Sequence, residues 1–346
     1  MHFNTAWFFK FFIPLLAVVT AGYFCIIYML GWRPAKNHPA PPPVPNAEIP
    51  VKSTQSTPEE EKKTPPPARK LNAPVAPYNF SKVRGLPKKP FAKLLPLVGS
   101  GIVVDLNTRN VLWEKNSRNP VPIASLTKLM TALLVMEAID NGDGQLNWGS
   151  VVSITSTAEK VERSCVLGLK KNEHYAIGEL MAATLINSHN DAAAMLAEIA
   201  AGSVDDFVLL MQKRASELGL FSAAFNSPNG LPQGKKRLNS LCSASDVTRI
   251  CEILMNYPQV MSLCQMTSKR LHTGKTVYSH NNLLKRKPVP GMIGFKTGFT
   301  NKAGFCLAFG VTRENRTVIG CVTGFRSAKE RDIFCRELIK WSFKTR

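Results

Sequence analysis

The apolar pattern divides the chain into an uncharged leader, a polar proline-rich stretch and a long remainder of recognisable helices and strands. Residues 11–32 are apolar and uncharged, interrupted only by Pro14. As a helix at ~1.5 Å per residue they would span the ~30 Å hydrocarbon core of a bilayer. A cleaved signal peptide, the competing reading, has a shorter apolar region followed by a small-x-small site. Gly31-Trp32-Arg33-Pro34 offers no such site, so a transmembrane anchor over 11–32 is expected. From residue 78 onward the pattern changes. Residues 101–105 and 111–113 read as two strands about the turn Asn107-Thr108-Arg109-Asn110. Residues 126–139, free of Gly and Pro, predict a buried helix starting near Ser125 and ending near Asn141-Gly142. Further helical patterns cover 178–186, 191–200, 243–256 and 328–343, and Asn226-Ser227-Pro228-Asn229-Gly230-Leu231 reads as a turn. Residues 291–298, 304–312 and 317–325 predict three strands. Their largely apolar make-up suits central strands covered by helices on both faces.

Composition changes this picture in three places. The segment 33–77 is rich in Pro, Ser, Thr, Glu and Lys, and residues 34–77 hold 13 of the 24 prolines. It cannot bury enough apolar surface to fold and predicts an extended linker. The formal charge is +20, which favours anionic partners. No nucleic-acid motif or long basic run accompanies it, so nucleic acid is not expected as a partner. Cys25 lies in the leader, and the other seven cysteines (165, 242, 251, 264, 306, 321 and 335) contain no Cys-x-x-Cys. They predict neither a disulfide framework nor a zinc site. One bridge between Cys306 and Cys321, on neighbouring strands, is compatible with the pattern. The six histidines show no metal-ligand spacing, so no metal and no cofactor is expected.

The candidate chemistry opens the long helix. Ser125 and Lys128 are three residues apart, which puts them on one helical face. A serine hydroxyl needs a base to become a nucleophile, and a lysine can be that base if burial or a second cation lowers its pKa. Two more segments accompany the pair, Ser188-His189-Asn190 between two helical patterns and Lys296-Thr297-Gly298 on a predicted strand. Ser-x-x-Lys, Ser-x-Asn and Lys-Thr-Gly in that order form the constellation of penicillin-binding proteins and serine β-lactamases. The chain resembles the low-molecular-mass D-alanyl-D-alanine carboxypeptidases over about residues 95–346. The turn at 226–231 and the wording Gly294-Phe295-Lys296-Thr297-Gly298-Phe299-Thr300 followed by Ala303-Gly304-Phe305-Cys306-Leu307 add to the match. Asn110 stands where a glycine is more usual, a change that a left-handed turn tolerates. His189 stands where glycine or alanine is more usual. It would either line the cleft or be a surface imidazole on the far side of the loop.

The resemblance implies an α+β fold of the β-lactamase/transpeptidase type, with an antiparallel five-stranded sheet flanked by helices and an all-helical subdomain. It makes residues 78–346 the catalytic domain. Residues 1–10 become a short cytoplasmic tail of a single-pass protein in the bacterial inner membrane, with the domain in the periplasm or extracytoplasmic space. It implies acyl transfer by Ser125 on a peptidoglycan stem peptide, with removal of the terminal D-alanine. Lys128 is then the base and Ser188 a proton relay. Asn190, Lys296, Thr297 and Gly298 bind substrate, Gly298 by letting the substrate backbone approach closely. The backbone N–H groups of Ser125 and Phe299 form an oxyanion hole. Arg331, with Arg326 as the alternative, holds the terminal carboxylate. β-Lactam antibiotics are the implied covalent inhibitors. The same residues fit a D,D-endopeptidase. A serine β-lactamase would need a glutamate base such as Glu252, which reads as structural within its helical pattern. A catalytically idle, membrane-tethered module that binds cell-wall partners is the alternative outside enzymology.

Overall fold

The computed structural model describes residues 76–142, 146–162 and 164–345. The expected tail, anchor and almost all of the linker lie outside the described residues, among which no helix is long and apolar enough to cross a membrane. The chain forms a hairpin of β1 (Ser100–Asp105) and β2 (Val111–Lys115), then α1 (Thr127–Asn141). Next come α2 (Ile177–Leu185), α3 (Asn190–Ala201), α4 (Val204–Glu217), α5 (Ala244–Leu254) and α6 (Pro258–Gln265). Strands β3 (Met292–Thr300), β4 (Gly304–Arg313) and β5 (Arg316–Phe325) follow, and α7 (Ala328–Lys344) closes the fold. The sheet runs β2-β1-β5-β4-β3 with every neighbouring pair antiparallel, so β3 is an edge strand.

Alternation along the strands feeds two cores, because successive side chains point to opposite faces. Ile102, Val104, Ile319 and Cys321 join the helices α1 to α6 on one face. Val103, Phe309, Val318 and Val322 meet Phe334, Leu338 and Ile339 of α7 on the other. Burial on both sides is why these strands read as nearly continuous apolar runs. Serine caps fix where several helices begin: Ser203, Ser243 and Ser327 each accept a backbone N–H three residues on.

Two details differ from the sequence expectation, the left-handed residue of the first hairpin and the cysteine pairing, while Glu252 keeps its structural reading. The left-handed residue of the β1–β2 turn is Arg109 (φ 61°), not Asn110. Its guanidinium pairs with Glu252 and lies 5.0 Å from the Tyr78 ring centroid, so side-chain contacts hold the residue in place. Glu252 also accepts from the Tyr78 hydroxyl at 2.8 Å and is thereby committed to the hairpin, as its structural reading requires. The cysteines beyond residue 76 are all free; Cys165 is exposed and the other six are buried. Cys321 is in register with Ala308, and Cys306 falls where the β4–β5 register shifts, so the two strands do not bring these thiols opposite each other.

Candidate active site

The nucleophile does not open the α-helix directly. A 3-10 turn at Ala124–Leu126 precedes α1, and Ala124 holds a left-handed φ of 48°. That turn is wedged between two other segments. Gly230 (φ +83°) lies so close that an added Cβ would stand 2.0 Å from the Ala124 carbonyl oxygen, so only glycine fits. On the other side, a Cβ on Gly298 would lie 3.2 Å from the Ser125 nitrogen and 3.1 Å from the Ile123 oxygen. The close approach that Gly298 permits is therefore to the nucleophile's own backbone, where the sequence suggested substrate. It draws the edge strand β3 against Ser125.

Lys128, from the first turn of α1, is completely buried. Its Nζ lies 3.0 Å from Ser125 Oγ, 2.7 Å from Asn190 Oδ1 and 2.7 Å from the Asn229 carbonyl oxygen. Two of these three partners can only accept, whereas the serine hydroxyl can also donate. A neutral amine has two N–H donors and one lone pair. It satisfies all three contacts if the lone pair faces the Ser125 hydroxyl. Burial, and next the Lys296 ammonium, hold the Lys128 pKa well below the usual lysine range. Lys296 is itself buried in β3, donates to the Thr297 carbonyl at 2.9 Å, and has its pKa lowered by burial to about 8.

Ser188 lies in the joint between α2 and α3 in a left-handed conformation (φ 69°). Next to it, Asn190 engages both ends of its amide inside the protein and still lines the cleft. Oδ1 accepts from Lys128, while Nδ2 donates to the Ser164 carbonyl at 2.5 Å. The Asn190 backbone N–H donates to the Cys165 carbonyl, and Asp191 accepts from the backbone N–H groups of Leu167, Gly168 and Leu169. His189 is buried, which rules out the surface imidazole, and it is not part of the cleft wall either. Its Nδ1 has no hydrogen-bond partner, and burial first of all lowers its pKa to about 4.

A cleft of about 370 Å³ gathers Ser125, Ser188, Asn190, Thr297, Gly298, Phe299 and Arg331, together with Cys165 and His280. Larger hollows of about 780 and 970 Å³ hold none of the motif serines or lysines, so chemistry and not size marks the site. Arg331 is buried in the first turn of α7, with Nη1 donating to the Cys306 carbonyl and Nε and Nη2 to Asp332. The alternative cation Arg326 is exposed and is not part of the cleft wall. Phe299 is half exposed and stacks on Phe305 at 4.2 Å between ring centroids. Sequence reasoning missed the Asn229 carbonyl and the segment 164–165. A backbone acceptor leaves no side-chain signature, although the Asn-Gly turn itself was visible.

The comparisons agree with this geometry. Residues 97–327 match the family described as D-alanyl-D-alanine carboxypeptidase. The chain is 31% identical over 270 residues to the D-alanyl-D-alanine carboxypeptidase DacF of Bacillus subtilis, covering 78% of this chain and 67% of the relative. It is 31% identical over 228 residues to a D-alanyl-D-alanine endopeptidase of Pseudomonas aeruginosa, covering 65% and 70%. The ampicillin-bound structure of penicillin-binding protein D2 from Listeria monocytogenes superposes with a TM-score of 0.63 at 28% identity, over 71% of this chain and 97% of that one. A serine and a buried lysine joined by a 3.0 Å contact, on a fold shared with penicillin-binding proteins, place this chain in the D-alanyl-D-alanine carboxypeptidase family.

Proposed function

We propose that this chain is a serine-type D-Ala-D-Ala carboxypeptidase that acts on peptidoglycan stem peptides through an acyl-enzyme on Ser125. The observation that carries the reading is the triple contact of Lys128 Nζ, which leaves its lone pair to Ser125. Ser125 Oγ attacks the carbonyl between the last two D-alanines as Lys128 takes its proton. The oxyanion is received by the backbone N–H groups of Ser125 and Phe299, which the Gly298 contact brings together. The C–N bond then breaks, and Ser188 relays the proton from Lys128 to the leaving D-alanine amine. Water cleaves the ester and restores the hydroxyl. Lys296 keeps the Lys128 amine neutral and, with Thr297 and Arg331, favours a substrate ending in a carboxylate. Asn190 aligns the base, and an extended peptide can add to the edge strand β3. A β-lactam acylates the same serine.

The test is D-alanine release from an acyl-D-Ala-D-Ala peptide by the full chain, with Ser125→Ala as control. No release from the wild type, or equal release from the variant, overturns the reading. The likeness to the Pseudomonas endopeptidase supports endopeptidase action as a second reading, and cleavage of a cross-linked muropeptide dimer separates the two. Residues 11–32 are read as an inner-membrane anchor and 33–77 as a linker that holds the domain outside the cytoplasm. The length and uncharged character of 11–32 support this. Recovery of the full chain in the soluble fraction would sink it.

A further inference from the structure

Beyond the three motifs, the catalytic cleft contains a residue that they do not include. His280 lies between the short strand Thr276–Tyr278 and the helical turn Asn282–Lys285, and its imidazole is accessible from the cleft whose wall it forms with Thr297 and Arg331. The segment that carries it is fastened on both sides to the site. Before it, the Tyr278 N–H donates at 2.8 Å to Asn187 Oδ1, on the joint that bears Ser188. After it, Asn282 Nδ2 donates at 2.9 Å to Asp332 Oδ2, whose other oxygen holds the Arg331 guanidinium. His280 is thus positioned by the same two elements that present Ser188 and Arg331.

The charged groups around this imidazole are almost all of one sign. The cations Lys296, Lys285 and Arg331 act on it, Lys128 adds to them only while it is protonated, His189 stands near it, and Asp332, which Asn282 contacts, is spent on Arg331. Partial burial, and after it those cations, lower the His280 pKa, so the free protein carries a neutral ring at neutral pH. A carboxylate arriving beside the ring reverses that balance, since an adjacent anion favours the imidazolium.

We propose that His280 is a specificity-determining residue whose imidazole contacts the carboxylate of the bound peptide and selects for carboxylate-bearing substrates, more strongly as the pH falls. The inference rests on the carboxypeptidase reading above and adds to it a residue and a pH-dependent preference. Neutral His280 contributes a single N–H to the carboxylate. At lower pH the complex takes up one proton from solvent and the contact becomes charge-assisted. Since Lys296 titrates near about 8, it stays an ammonium throughout the acidic range and does not produce the effect.

The experiment compares wild type with His280→Gln on an acyl-D-Ala-D-Ala peptide and on its C-terminal amide, at pH 5.5 and pH 7.5. His280→Asn and the melting temperature of each variant guard against misfolding. For the acid peptide, the variants are expected to raise KM about tenfold at pH 5.5, in line with loss of a charge-assisted hydrogen bond, and less at pH 7.5, with kcat within about twofold. The wild-type preference for acid over amide should narrow in the variants, chiefly at the lower pH. An equal KM rise for both peptides at both pH values would mean a structural role and overturn the proposal, as would an unchanged KM. A wild type that neither releases D-alanine nor is acylated by penicillin would instead overturn the underlying carboxypeptidase reading, and this inference with it.

Discussion

The two buried lysines set the pH dependence of the chemistry. Lys128 must be neutral to act as base, so activity is lost as pH falls through its lowered pKa. Lys296 must be charged to depress Lys128 and attract a carboxylate, so activity is lost again as pH rises through about 8. A bell-shaped profile of kcat/KM is expected. Lys296→Met should shift its acid limb to higher pH, because the cation that lowers Lys128 is gone. An acid limb that stays where it was would detach the two lysines. Cys165 offers an independent check on the cleft. It is the exposed one among the cysteines of the described residues and lines the same cleft as Ser125. A bulky maleimide should label it selectively and block acylation of Ser125 by penicillin, and labelled protein that still binds penicillin at the normal rate would contradict the geometry.

At the scale of elements, the turn containing Gly230 is as much part of the machinery as the helix bearing Ser125. Gly230→Ala combines a left-handed backbone with a contact that no side chain can make. It should destabilise the fold by more than about 1 kcal/mol and slow penicillin acylation as Asn229 is displaced from Lys128. Urea unfolding and acylation rates measure the two effects. Glu252→Gln should behave in the opposite way, costing about 1–3 kcal/mol of stability through Arg109 and Tyr78 while leaving kcat unchanged. The sheet strands and five of the longer helices were legible in the sequence because their apolar periods are long: 291–298 became Met292–Thr300, and 328–343 became Ala328–Lys344, whereas α4 and α6 were not read from it. The three motifs were legible because their side chains carry the chemistry. What stayed hidden depends on backbone. Nothing local announces that Ala124 and Ser188 turn left-handed, or that the carbonyls of Asn229 and Ser164 are the acceptors that orient Lys128 and Asn190. The side to which the Gly298 face points was also beyond reach, since it depends on how β3 meets the 3-10 turn.

Across the whole molecule, the sheet separates two cores whose contributions to the site differ. The core under α7 contains Phe334, whose ring centroid lies 5.4–5.5 Å from those of Phe91, Trp113 and Phe325. Phe334→Ala should cost about 3–5 kcal/mol, and because α7 also carries Arg331, it should raise KM for a carboxylate-terminated peptide more than it lowers kcat. A rise in neither would show that Arg331 is held without help from that core. The site itself is braced in a way that matters for inhibitors. Asn190 grips the base with one end of its amide and the 164–165 segment with the other. A small molecule that pried that segment away would free the asparagine to swing and leave the lysine misaligned. The enzyme would then be silenced without any bond to its serine, by a route open to compounds that contain no strained ring for a lactamase to open.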